Sequence, residues 1–255
     1  MAFFRLCFTR ELQFRANFIL IFFMDVVWYG VNWLFFEIIY LNTESIAGYN
    51  REEVLFFIAT TFVIDGIDMT FFASSMWMLP DAVRKGDFDL MLSKPVSPLV
   101  YATMRNVSLG SLLDTILAFL ILGYAWSQLN IVPSGFEVVA YICLLLSGLA
   151  IIYSLQLFFS ALSFIFVGHG SGLNMMFHHL YQFAMRPEAI YKGGLRFFLL
   201  FLLPMIVISA LPARVIIKGF EPENFILSLA VSIAFFFGVR AFFYWALRRY
   251  ESASS

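Results

Sequence analysis

Four carboxylic acids stand where a carboxylate is hardest to keep. Asp25, Asp65, Asp68 and Asp114 each lie inside a run of apolar residues long enough to cross a bilayer. A charged side chain at the centre of a membrane helix costs about 2.5–3.5 kcal/mol on insertion scales, so each acid must face another helix or water. Asp65 and Asp68 are three residues apart and share one helical face. Two readings follow from residue type alone. In the first, the four acids are candidates for lining a translocation path, or for a proton or cation site. In the second, they hydrogen-bond between helices, to Thr60, Thr61, Ser74 or tyrosine hydroxyls.

Other chemistries find little support. Nothing matches G-x-x-x-x-G-K-[ST], so no nucleotide cofactor is expected in this chain, and ATP with its magnesium would belong to another subunit. Cys7 and Cys143 lie in unrelated apolar segments and give neither a disulfide framework nor a metal site. His169, His178 and His179 lack partners at metal-ligand spacing and are read as interfacial rings. Asp65-Gly66 matches only the opening of the CDP-alcohol phosphotransferase motif D-G-x-x-A-R; Asp68 comes too early and no arginine follows. No nucleophile–base pair survives inspection, so the chain is not read as an enzyme. No nucleic-acid partner is indicated.

The elements that position the acids come from composition. Hydrophobic residues make up 62% of the 255 and charged residues 13%, with 33 phenylalanines. Soluble chains carry roughly 25% charge, so the bilayer itself is the solvent and partner here. Apolar runs at 17–41, 54–78, 100–128, 136–167, 197–211 and 224–247 predict six spans, the fifth short and broken by proline. They are continuously apolar rather than alternating, which excludes a transmembrane barrel. The fold class is therefore an all-α polytopic membrane protein. Basic residues cluster before the first span (Arg5, Arg10, Arg15), between the second and third (Arg84, Lys85, Lys94, with Arg105), between the fourth and fifth (Arg186, Lys192, Arg196) and around the end of the sixth (Arg240, Arg248, Arg249). The other side holds Arg51, Arg214 and Lys218. An even number of spans with both termini cytoplasmic satisfies that bias, in a plasma (inner) membrane. No cleavable signal peptide is evident. The Asn106-Val107-Ser108 sequon falls in a predicted span and is discounted.

One transmembrane domain, 1–255, accounts for the whole chain, with no internal repeat. Residues 1–16 fit a helix lying in the interface, the other reading being a ragged extension of the first span. Residues 79–98 form the most polar stretch: Pro80 can start a short helix there, and Lys94-Pro95 ends it. It keeps Val83, Phe88, Leu90, Met91 and Leu92 among its charges, which a plain connector does not need. A protein-docking segment is expected. Residues 168–196 read as a cytoplasmic loop holding a surface helix, and 211–223 as a short re-entrant segment on the outer side.

The polar islands also spell a known pattern. Gly86-Asp87-Phe88-Asp89-Leu90-Met91-Leu92-Ser93-Lys94-Pro95-Val96 resembles the G-x-x-D-x-x-L-x-x-P-V motif of type-2 ABC (ABC-2-type) transporter permeases, in the bacterial branch with a separately encoded ATPase. Arg186-Pro187, Tyr191, Pro204 and Pro212 resemble that branch's second signature. The stretch from Trp245 through Arg248, Arg249 and Tyr250 to Ser254 is similar to its closing pattern, with Ser254 where glycine is usual. The resemblance implies an N-terminal interfacial helix, six spans, a cytoplasmic coupling helix between spans two and three, and re-entrant elements between spans five and six. It also implies two permease subunits, homo- or heterodimeric, bound to two copies of an ABC ATPase subunit. Residues 81–95 would then dock into the ATPase through Asp81, Arg84, Gly86, Asp87, Phe88, Asp89, Leu90, Met91 and Pro95, with Phe88, Leu90 and Met91 as apolar knobs. ATP-driven export is the function so implied. The rivals are a proton-coupled secondary transporter using the buried acids and a non-transporting membrane scaffold.

Overall fold

A computed structural model describes residues 15–46, 48–108, 110–166 and 170–250. The interfacial helix expected over 1–16 falls almost wholly outside them, as do Cys7, Gly168, His169 and the residues after Tyr250. Helix α1 is Arg15–Tyr40 and α2 Arg51–Asp68. The second passes through a π-turn, Met69–Ala73, into α3, Ser74–Lys85; α4 is Asp87–Leu92 and α5 Pro98–Met104. Next come α6 (Gly110–Gln128), α7 (Gly135–Ala161), α8 (Gly170–Tyr181) and α9 (Gly193–Phe197). The chain closes with α10 (Met205–Lys218) and α11 (Pro222–Leu247). Five helices are long and apolar enough to cross a membrane. The all-α polytopic fold is as expected.

Local sequence sets the helix starts. Asn50 accepts from the Glu53 N–H at 2.9 Å while the Glu53 carboxylate accepts from the Asn50 N–H, and Ser134 with Glu137 repeats this box at α7. Pro80 does not start a helix, as expected from sequence, but lies inside α3. It has no N–H for the Met76 carbonyl, and Ser160 Oγ from α7 donates to that oxygen instead, at 3.1 Å. The 100–128 run is likewise not one helix. It breaks between α5 and α6, and the freed backbone is held by the π-turn region: Ser108 N–H donates to the Thr70 carbonyl at 3.0 Å, and Asn106 N–H to Ser75 Oγ at 2.8 Å. Irregular backbone at membrane depth survives where protein satisfies it in this way.

The largest departure concerns residues 168–196. At one end of the bundle Phe88 packs on Phe164 and Tyr250, with ring centroids 5.1 and 6.1 Å apart. At the opposite end Arg51 pairs with Glu37 at 2.7 Å, and Tyr49 donates to Glu188 at 2.8 Å. Helix α8 begins near the first end, where Asn174 donates to the Trp77 carbonyl at 3.2 Å. By Arg186, whose guanidinium lies 4.5 Å from the Phe35 ring centre, the chain has reached the second. Residues 170–188 thus cross from one end to the other, and 168–196 is not a loop confined to one side. The predicted fifth span, 197–211, fails for the same reason. The pair Gly193–Leu202 and Met205–Lys218 is bent by 95° at Leu203-Pro204 and returns to the end it left, where Lys218 Nζ donates to the Gly48 carbonyl at 3.3 Å. The re-entrant element is therefore 193–218, longer than the expected 211–223 and displaced from it. Five helices long and apolar enough to cross therefore remain, with 170–188 running from one end of the bundle to the other beside them. The expectation failed because α8 carries His178, His179 and Asn174 and is short, whereas the re-entrant pair is more apolar than a true span need be.

The core is built on close helix approach. Gly66 of α2 lies so near Thr115 of α6 that a Cβ would meet its Cα at 3.0 Å. Ser147 of α7 is within hydrogen-bond distance of Ser228 and Ser232 on α11, the small-residue seam expected where lipid gives no hydrophobic drive. The outward faces of α1 and α11 are apolar, with Phe23, Val31, Leu34, Ile233 and Phe237 exposed.

Candidate functional site

The four acids come together. Asp65 and Asp68 leave α2 immediately before the π-turn, Asp25 comes from α1 and Asp114 from α6. The charged groups acting on Asp65, Asp68 and Asp114 are one another and Asp25. Asp68 is fully buried and accepts from Gln156 Nε2 of α7 at 2.5 Å. Both oxygens of Asp114, Asp68 Oδ1 and Gln156 Oε1 are buried with no hydrogen-bond partner among the described residues. Thr60 and Thr61, expected as partners, serve elsewhere: both hydroxyls donate back to carbonyls of their own helix, and Thr60 also meets the Tyr141 hydroxyl at 3.1 Å. Helix-to-helix bonding is thus real for Asp68, through Gln156, and the group set against Asp114 is Asp25 of α1.

A cavity of about 420 Å³ opens beside the cluster. Asp25, Asp65 and Gln156 line it together with Trp28, Trp77 and Phe177, and His178 and Tyr181 face it from α8. Sequence reading missed Gln156 and the place of Tyr181. A lone glutamine within the 136–167 run was the available signal, since an amide inside a span needs a partner. No group of three or more metal-ligating side chains is placed for a metal ion among the described residues.

The segment 81–95 forms a compact corner. Gly86 ends α3 at φ 76°, a left-handed conformation natural to glycine, and its N–H donates to the Val83 carbonyl at 3.2 Å. The chain then turns into α4, whose six residues present two faces. Phe88 and Met91 point inward, into a cluster with Met76, Val83, Phe164, Phe243 and Ala246. Asp87 and Leu90 point outward, Leu90 with 69% of its surface exposed, and Leu92, Pro95 and Val96 are exposed beside them. This corrects the expectation for the apolar knobs: of Phe88, Leu90 and Met91, only Leu90 is outward. The i, i+3 spacing of Phe88 and Met91 matches the core-facing stripe. Asp81 and Arg84 pair at 3.1 Å on the surface, where such a pair contributes little. Phe88→Ala should therefore act on stability, costing about 3–5 kcal/mol as a large-to-small core change. Thermal unfolding in detergent checks this; Leu90→Ala should leave the midpoint unchanged.

The remaining signature residues hold structure. Tyr191 donates to the Phe183 carbonyl at 2.8 Å, Pro187 packs beside Glu188, Pro204 sits at the 95° bend and Pro212 lies inside α10. Arg248 caps the end of α11, and the Tyr250 ring stands 5.6 Å from that of Phe164.

Taken together, the lipid-facing bundle, the buried polar cavity, the re-entrant element and the amphipathic corner define a membrane permease. The chain matches the family model described as ABC-2 family transporter protein over residues 26–254, and it belongs to that family. It is the membrane permease of an ABC transporter, a transport component without catalytic chemistry of its own, and permeases of this family work with ABC ATPase partners. No curated protein and no solved structure matches the chain.

Proposed function

We propose that this chain is the translocating subunit of an ATP-driven exporter, coupled through residues 81–95 to a separate ATPase that carries ATP and magnesium. The observation that carries the reading is the corner at Gly86. It fixes α4 to the core through Phe88 and Met91 and leaves Leu90, Leu92 and Val96 exposed among Asp87, Arg84 and Lys94. Exposed apolar groups rimmed by charge mark a partner surface. The corner joins directly to a helix running unbroken from Lys85 to Arg51, which carries Asp65 and Asp68 midway. Movement of the docked corner would reach the acids along that one element, with the π-turn beside Asp68 as the place where it gives. Asp25, Asp65, Asp68 and Asp114 line the path in this reading.

The assembly is two permease copies, this chain with itself or with a second permease, on two ATPase subunits. The corner faces the cytoplasm of a plasma (inner) membrane, and both termini lie on that side. Supporting this orientation, Arg84, Lys85, Lys94, Arg105, Arg248 and Arg249 gather at the corner's end. At the other end Arg186, Lys192 and Arg196 now join Arg51, Arg214 and Lys218, so the excess on the corner's side rests on Arg5, Arg10 and Arg15, which in sequence precede or open α1.

Pull-down of the tagged chain from its native membrane in mild detergent tests the reading. Wild type should retain an ATP-binding subunit at near-equal abundance. Leu90→Asp should lower that retention about tenfold or more, as for a central apolar anchor, with the permease itself monodisperse. Reproducible absence of any ATPase from the wild-type preparation would overturn the coupling and direct attention to transport driven by a pH gradient.

A further inference from the structure

The cavity beside the acids has a definite chemical preference. It carries the carboxyl groups of Asp25 from α1 and Asp65 from α2, and among the described residues no lysine or arginine lines it. Gln156 is 2% exposed, and its Oε1 is an acceptor with no donor among the described residues. Asp68 Oδ1, on the other partner of that same amide, is in the same position. Unsatisfied acceptors at this depth call for a donor or a positive charge from a ligand. The lining is also aromatic, with Trp28, Trp77 and Phe177 offering rings that attract a cation and shelter an apolar body. A volume of about 420 Å³ lies within the range of small-molecule sites and far exceeds what a bare ion needs. At the mouth, Met24 and Trp77 are exposed on the outside of the bundle, toward lipid.

We propose that this cavity binds an organic cation, admitted from the bilayer, with its charge among Asp25, Asp65 and Gln156 and its apolar body on Trp28, Trp77 and Phe177. This rests on reading the acids as lining the translocation path. The site sits halfway along the helix that leads to the coupling corner, so an occupant there would be the transported species. His178, on the exposed side of α8, is the one imidazole lining the cavity among the described residues.

The test uses the purified full-length permease in nanodiscs of neutral lipid. Tetraphenylphosphonium is the probe, and tetraphenylborate, of the same shape and opposite charge, is the control. Wild type should bind the cation saturably above empty nanodiscs and quench tryptophan fluorescence, and should not do so with the anion. Asp25→Asn and Asp65→Asn should each weaken cation binding about tenfold or more, as loss of a buried charged partner does, and Asp65→Glu should retain much of it. Asp25 is only partly buried on α1, so its variant remains informative if Asp65→Asn fails to fold. Equal binding of anion and cation, unchanged binding by the asparagine variants, or no saturable binding at all would each overturn the proposal. None of these readouts depends on the ATPase, so failure here and failure of the coupling assignment are separately visible.

Discussion

Replacing Gly148 with leucine should leave no folded permease in the membrane fraction. A Cβ built on Gly148 would lie 2.1 Å from the Ile208 carbonyl oxygen and 2.9 Å from its carbon, both backbone atoms of α10. Neither can swing aside as a side chain would. The cause lies four residues further on: Pro212 has no N–H to give Ile208, so that carbonyl is left to rest against the bare Cα of Gly148. Helices α7 and α10 consequently touch backbone to backbone, and any side chain must push them apart. Ordinary overpacking costs about 1–3 kcal/mol, and this contact should exceed it because no rotamer relieves it. Gly123→Ala is the matched control, since nothing lies within 4 Å of its added Cβ. Helix propensity should make that change neutral or favourable by up to about 1 kcal/mol. Size-exclusion profiles of fluorescently tagged variants, before and after heating, read both. Wild-type behaviour of the Gly148 variant would show that α7 and α10 do not approach this closely.

Arg214→Met should be the second severe change. Arg214 Nη1 donates to Glu188 at 3.1 Å and Nη2 to Glu221 at 2.9 Å, tying the re-entrant helix to the chain on both sides of it. Glu188 is 3% exposed and also accepts from Tyr49. Removing the guanidinium leaves a buried carboxylate with one hydroxyl donor, a loss of about 3–5 kcal/mol for a broken buried pair. Arg214→Met with Glu188→Met should recover much of it, because the double variant leaves no uncompensated charge. A double variant no more stable than Arg214→Met would rule out the pair as the source. The hydrogen bond from Arg214 holds the Glu221 carboxyl below its ordinary range. Its contribution is therefore present above the ordinary glutamate range and is lost only as pH falls through the lowered value. Burial, then the neighbouring Glu188, pushes the Tyr49 hydroxyl above its ordinary range, so it remains a donor through neutral pH.

Composition alone determined the solvent and the helical class, because continuously apolar runs in lipid satisfy their backbone as helices. It also marked Asp25, Asp65, Asp68 and Asp114 as the residues to explain, and the 79–98 segment as the polar island between spans. Periodicity could not tell which apolar run crosses and which turns back. Of 170–188 and 193–218 only the second is apolar enough to pass as a span, and the paths the two take are set by where their ends are tied, through Glu188, Arg214 and Lys218 to residues far away in sequence. The i, i+3 spacing of Phe88 and Met91 pairs them on one face of the six-residue α4, but only Phe164, Phe243 and Tyr250 decide that this face, and not that of Leu90, turns inward. The gathering of four acids around Gln156 was invisible for the same reason. They come from three helices, and only packing brings those helices together.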